Sequence, residues 1–126
     1  MPRFRPRLLL AAALAGVTLS APVRAADADA GAAVFAAQCK VCHSLAQGET
    51  KTGPSLFGIV GRHASAVADF RYSPANRRAD VIFDEQTLDR FLTSPQAIIP
   101  GTVMAYPGLK DATRRSDLIA FLATQK

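Results

Sequence analysis

Cysteine and histidine are scarce in this chain, and the shortage removes several classes of protein. Of 126 residues, two are cysteine and two are histidine. A structural zinc site wants more Cys or His at ligand spacing, yet beyond Cys39, Cys42 and His43 only His63 is left. A disulfide between Cys39 and Cys42 would close so small a loop that it adds little to folding stability. A thioredoxin-like redox pair should sit in a βαβ pattern, and the chain has no alternating strand pattern, no internal repeat and no low-complexity segment past its first residues. Long apolar runs are missing too. The longest, Leu8 to Leu19, falls short of the ~20 residues of a membrane-spanning helix.

That run belongs to a secretory leader. Arg3, Arg5 and Arg7 precede it and Val23-Arg24-Ala25 follows, a small-residue pattern suited to cleavage after Ala25. Residues 1–25 are therefore expected to be a signal peptide and 26–126 one domain with one core; an uncleaved leader tethering the domain is the alternative. The formal charge of +5 shrinks with the leader, which holds four of the fifteen basic residues and none of the ten acidic ones. Eleven basic against ten acidic side chains leave the mature domain at +1. A hint of nucleic acid or anionic membrane disappears with it, so neither is expected as a partner.

What is present is Cys39-Lys40-Val41-Cys42-His43. Two thiols three residues apart can each add across a vinyl group of a haem while the following imidazole reaches the iron, which makes C-x-x-C-H a c-type haem attachment signal. Low-spin haem iron wants a second axial ligand, and a thioether opposite histidine favours the ferrous form. Met104 is the only methionine outside the leader and lies on a Pro/Gly-braced loop rather than a helix face. His63 is the rival sixth ligand, against a plain reading as a solvated loop histidine. A vacant sixth site would point to gas binding or peroxide chemistry.

The rest of the chain reads as helices joined by long loops. An alanine-rich helix is expected from Gly31 to Gln38, with Asp27 and Asp29 at its start; Gly31 shares a face with Phe35, which asks for a close backbone approach, the alternative being a frayed first turn where glycine costs nothing. Ser44 to Pro74 is mostly loop, with turns near Gly48, Gly53-Pro54, Gly58 and Gly61 and with Leu56, Phe57, Ile59 and Val60 as buried pins. A loop this long needs something to wrap. Asp84 caps a second helix, with Phe83 stapled onto Leu88 and with Leu88, Phe91 and Leu92 at helical spacing. Pro95 ends that helix and opens a second loop to Gly108. A final helix starts near Asp111, with Leu118, Ile119, Phe121 and Leu122 as its apolar face and Arg114 and Arg115 exposed. The expected fold is all-α, with three or four short helices and two long loops.

From Gly31 to Lys126 the chain resembles the class I cytochromes c of bacterial and mitochondrial-like type. The motifs are Gly31-x-x-x-Phe35-x-x-x-Cys39-x-x-Cys42-His43, Thr52-Gly53-Pro54-Ser55-Leu56-x-Gly58, Gly61-Arg62, Phe70-x-Tyr72-Ser73, Asn76, Pro95, Pro100-Gly101-Thr102-x-Met104 and Asp117-Leu118-Ile119-x-Phe121-Leu122. The resemblance implies the cytochrome c fold around one haem c, held by thioethers at Cys39 and Cys42 and by axial His43 and Met104. It implies that Pro54 accepts from the other ring N–H of His43, that Arg62, Tyr72 and Thr102 engage the haem propionates, and that Asn76 joins a polar network near the methionine. It also implies that Gly31 and Phe35 cross the last helix near Leu118 and Phe121.

Departures from the pattern carry information. Phe91 stands where some relatives place a buried tyrosine, and Phe83 where a tryptophan often donates to a propionate. Gln96, Ala97 and Val103 replace lysines of the mitochondrial proteins, so a basic docking ring is not expected. The implied function is an exported periplasmic electron carrier, not an enzyme, that moves single electrons between redox protein partners of a respiratory or photosynthetic chain. Two alternatives are a dedicated electron-transfer subunit of a periplasmic oxidoreductase and, from another class, a haem enzyme or gas sensor with an open sixth site.

Overall fold

The computed structural model describes Met1 and residues 19–126; the apolar part of the expected leader lies outside the described residues. Among the described residues five helices follow one another: α1 (Ala28–Gln38), α2 (Pro74–Arg78), α3 (Glu85–Thr93), α4 (Pro95–Ile98) and α5 (Ala112–Ala123). Two short strands, β1 (Arg62–His63) and β2 (Ile82–Phe83), pair antiparallel with Arg62 opposite Phe83. No described helix is long and apolar enough to cross a membrane.

Local chemistry explains the helix starts. Asp27 accepts from the N–H groups of Asp29 and Ala30, so α1 begins three residues earlier than its alanine-rich run suggests. Asp84 accepts from Thr87 N at 2.7 Å and Asp111 from Arg114 N at 2.9 Å, each satisfying a first-turn donor that the helix itself cannot. Pro95 stops α3 but then opens α4, because its fixed φ and missing N–H suit a first helical position.

α1 and α5 cross at Gly31. A Cβ there would lie 1.9 Å from the Asp117 carbonyl oxygen and 2.7 Å from Phe121 Cβ, so only glycine lets the two backbones approach this closely. Phe35 and Phe121 pack beside the crossing with ring centroids 5.8 Å apart, and Leu118 is 0 % exposed. Leu88, Phe91 and Leu92 bring the inner face of α3 into the same core.

Arg115 corrects the expectation from sequence. It is buried: its Nε donates to Asp89 on α3 at 2.6 Å and one Nη donates to Leu109 O at 2.9 Å. The position shares a face with Leu118, Ile119 and Leu122 by the i, i+3, i+4, i+7 rule, and the guanidinium closes what an apolar side chain would otherwise fill. Of the four expected loop pins, Ile59 is buried and Leu56, Phe57 and Val60 are half-buried.

Candidate functional site

The core is hollow. A cavity of ≈ 400 Å³ opens between the α1 end, the long loop after it, α3 and the loop that follows α4, a volume suited to a cofactor. Cys39, Cys42, His43, Pro54, Arg62, Tyr72, Asn76, Thr102 and Met104, singled out from the sequence, all border it. His63 does not; it lies on β1 with Nε2 3.6 Å from Asp80.

α1 delivers the first three. Cys42 N and His43 N both bond to Cys39 O, at 3.0 and 2.9 Å, so the chain makes one more turn past Gln38 and brings both half-buried cysteines to the cavity. The cysteines are free. Burial, with the neighbouring Cys42, pushes the Cys39 thiol up to about 11, which keeps it protonated near neutral pH.

His43 is held in one tautomer. Its Nδ1 lies 2.8 Å from Pro54 O; a carbonyl can only accept, so Nδ1 carries the hydrogen and Nε2 keeps a lone pair. Burial pulls the imidazole below its ordinary pKa against the Pro54 hydrogen bond, with Arg62 and Lys51 adding to the fall. The neutral ring is the ligand form. A Cβ at Gly53 would sit 2.3 Å from the ring's Cε1, so the ring lies against that glycine and any side chain there would turn it.

Polar groups are arranged to receive an anion. Arg62 spends its two Nη groups on Phe57 O and Ser55 O, each at 2.8 Å, and its Nε is buried with no partner among the described residues. Burial lowers the Arg62 pKa, against the pull of Tyr72. Tyr72 Oη accepts from Val67 N at 3.2 Å, which leaves its own hydrogen to donate. A guanidinium with an orphaned donor beside a phenol fits the carboxylates of a haem. Thr102 is engaged otherwise here: its hydroxyl donates to Asn76 Oδ1 at 3.0 Å, which also accepts from Ser73. The cavity also has an apolar wall, in which Phe83 and Phe91 meet edge to face, centroids 4.9 Å apart. The two aromatic departures from the family pattern therefore pack on each other and make one dry surface.

The loop that carries Met104 is clasped by residues that sequence reading did not assign to it. Gln96 of α4 donates to Thr102 O at 2.8 Å and accepts from Gly101 N at 3.1 Å. Tyr106 Oη donates to Gln38 Oε1 at 2.5 Å, tying the loop to the residue before Cys39. Gly108, at φ 102°, returns the chain within contact of Thr93, and Leu109 N then bonds to Leu92 O at 2.7 Å. Nothing in local sequence spacing announces these partners. At the mouth of the cavity Val41 and Val103 are each 77 % exposed.

A mostly helical shell with long loops around a cofactor-sized cavity, with a C-x-x-C-H turn on its wall and an anion-seeking edge, defines a c-type haem protein. The family profile described as Cytochrome c matches residues 28–126, and the chain belongs to that family. It is 41 % identical over 96 residues to "Cytochrome c2" of Rhodopila globiformis, covering 76 % of this chain and 91 % of that protein. It is 43 % identical over 103 residues to "Cytochrome c2" of Blastochloris viridis, covering 81 % and 80 %. With "Cytochrome c type-1" of Ascaris suum the identity is 44 % over 96 residues, covering 76 % and 86 %. The protein is a monohaem electron carrier with one covalent haem c, and not an enzyme.

Proposed function

We propose that this carrier is exported to the periplasm, loses residues 1–25, and shuttles single electrons between protein partners of a respiratory or photosynthetic chain. In this reading Cys39 and Cys42 would form the thioethers, His43 Nε2 and the Met104 thioether would ligate the iron, and Arg62 and Tyr72 would hold the propionates. Thr102 and Asn76 link the methionine loop to α2. The bound haem supplies a one-electron iron couple in which no ligand has to leave. The chain's own residues do the rest. Pro54 fixes the imidazole tautomer and its basicity, the thioether favours ferrous iron, and the Phe83–Phe91 wall limits the water that must reorganise when the charge changes.

The observation that carries this reading is that both proposed axial donors and both cysteines border one cavity whose mouth is rimmed by exposed valines. Among the described residues no lysine lines it. Two nearby ammonium groups are engaged by their own chain, Lys51 by Lys40 O and Lys110 by Thr93 O. Docking therefore rests on apolar contact around Val41 and Val103 more than on charge steering. Stopped-flow electron transfer to the native partner, run on protein released from the periplasm, tests this. The expected rate changes less than ~10-fold between low and high salt, because screening removes only long-range attraction. A fall of ~100-fold or more, or recovery of the haem only in a fixed complex with a larger partner, contradicts it.

A further inference from the structure

Asp117 lies on α5 with its side chain 5 % exposed, away from the haem cavity, and its carboxylate accepts twice at Oδ1. One donor is the guanidinium of Arg24 at 2.9 Å, and the other is the backbone N–H of Asp27 at 2.8 Å. Asp27 caps α1 and the Asp117 carbonyl is the atom against which Gly31 packs, so this residue ties the start of α1 to α5. The Arg24 bond and the Asp27 N–H hold its pKa below the ordinary carboxylate value. Yet Arg24 stands before the expected cleavage point. Removing residues 1–25 deletes the cation that faces a buried carboxylate, and an unpaired buried charge is destabilising.

Cleavage also creates a cation one residue from the Asp27 N–H that Asp117 already binds. Hydrolysis of the Ala25–Ala26 bond takes one water, leaves a carboxylate on Ala25, and gives Ala26 an α-ammonium at neutral pH. The Ala26 nitrogen is one residue from Asp27 N, about 3–4 Å by backbone geometry. Ala26 borders a cleft of ≈ 340 Å³ whose walls include Glu85, Asp89 and Ser116. The charged groups near the new terminus are thus Asp27 and, through the Asp27 N–H, Asp117, with Glu85 and Asp89 along the cleft, the last already paired with Arg115. The positive end of α1 repels an ammonium, so a carboxylate partner is required to keep it there.

We propose that Asp117 is a receptor for the processed amino terminus: leader cleavage exchanges Arg24 for the α-ammonium of Ala26, which takes over the ion pair that ties α1 to α5 in the mature protein. The inference rests on the leader reading, and the intact mass of the exported holoprotein reports that reading by itself. A first residue other than Ala26 overturns the exchange. For the lock, the holoprotein beginning at Ala26 is compared with one carrying Gly-Ser ahead of Ala26, which moves the ammonium away, each with Asp117 and with Asp117→Asn. The extension is expected to lower Tm by about 5 °C with Asp117 present and to have no effect in the Asp117→Asn pair, the signature of a direct coupling. The ammonium's folded pKa is raised by its partner, so its contribution is whole below the ordinary α-amino value of about 8 and fades as pH rises through the raised one. The Tm gap between the two Asp117 proteins should therefore close at high pH. Equal losses with Asp117 and with Asp117→Asn, or a gap indifferent to pH, overturn the proposal.

Discussion

The crossing of α1 and α5 and the loop that carries Met104 are held by different physics. At the crossing the fit is steric: Gly31 against a carbonyl, Phe35 against Phe121, Leu118 fully buried. The contacts recur every three or four residues, and no atom can be added. The loop is held by polar clasps between distant residues: Gln96 to the Gly101–Thr102 backbone, Thr102 to Asn76, and Tyr106 to Gln38. Each clasp contributes about 1 kcal/mol net. Losing one loosens the loop without unfolding the domain. The crossing is therefore the part that decides whether the protein folds, and the loop the part that, with Met104 as the proposed ligand, would tune the iron.

Substitutions at the two regions should separate these roles. Gly31→Val forces the backbones apart, and with a Cβ 1.9 Å from a carbonyl oxygen the cost should reach the upper end of overpacking, about 3 kcal/mol; thermal melting of the holoprotein should fall by more than ~10 °C, or no folded protein should be recovered. Leu118→Ala leaves a cavity costing about 3 kcal/mol, readable as a lower denaturant midpoint of the holoprotein. Arg115→Met should cost about 2 kcal/mol by the same measurement, less than a fully buried pair because Asp89 is 45 % exposed.

At the loop the readout changes. Gln96→Ala removes two hydrogen bonds from the methionine loop and should shift melting only slightly. The weak far-red band of sulfur-ligated ferric haem should nonetheless be lost about one pH unit lower, since one unit corresponds to ~1.4 kcal/mol. Tyr106→Phe removes one clasp and should move that midpoint by about half as much. A large melting change for Gln96→Ala with an unmoved midpoint would break the division of roles.

The same contrast governs how much can be read in the sequence. α1, α3 and α5 are legible because an aspartate cap precedes the apolar residues of each, and Gly31 signals its own close approach. α2 and α4, five and four residues long, are too short for a period to develop, and two-residue strands cannot show alternation. Arg115 escapes a sequence reading because a charged side chain at a core position looks exposed until its partner, 26 residues away, is known. The nine cavity residues are legible only because motifs carry them. The clasps are not, since Gln38 and Tyr106 are 68 positions apart and no local rule pairs them.

The most direct test of the account is the reduction potential of Met104→Ala. Haem should stay covalently attached through Cys39 and Cys42. The potential should drop by more than ~100 mV, because a one-electron couple moves ~59 mV per tenfold change in relative ferrous stability and this substitution removes the proposed thioether ligand, which would favour ferrous iron. The far-red ferric band should vanish with it. An unchanged potential with the band intact would show that Met104 is not the ligand and would contradict the site as described.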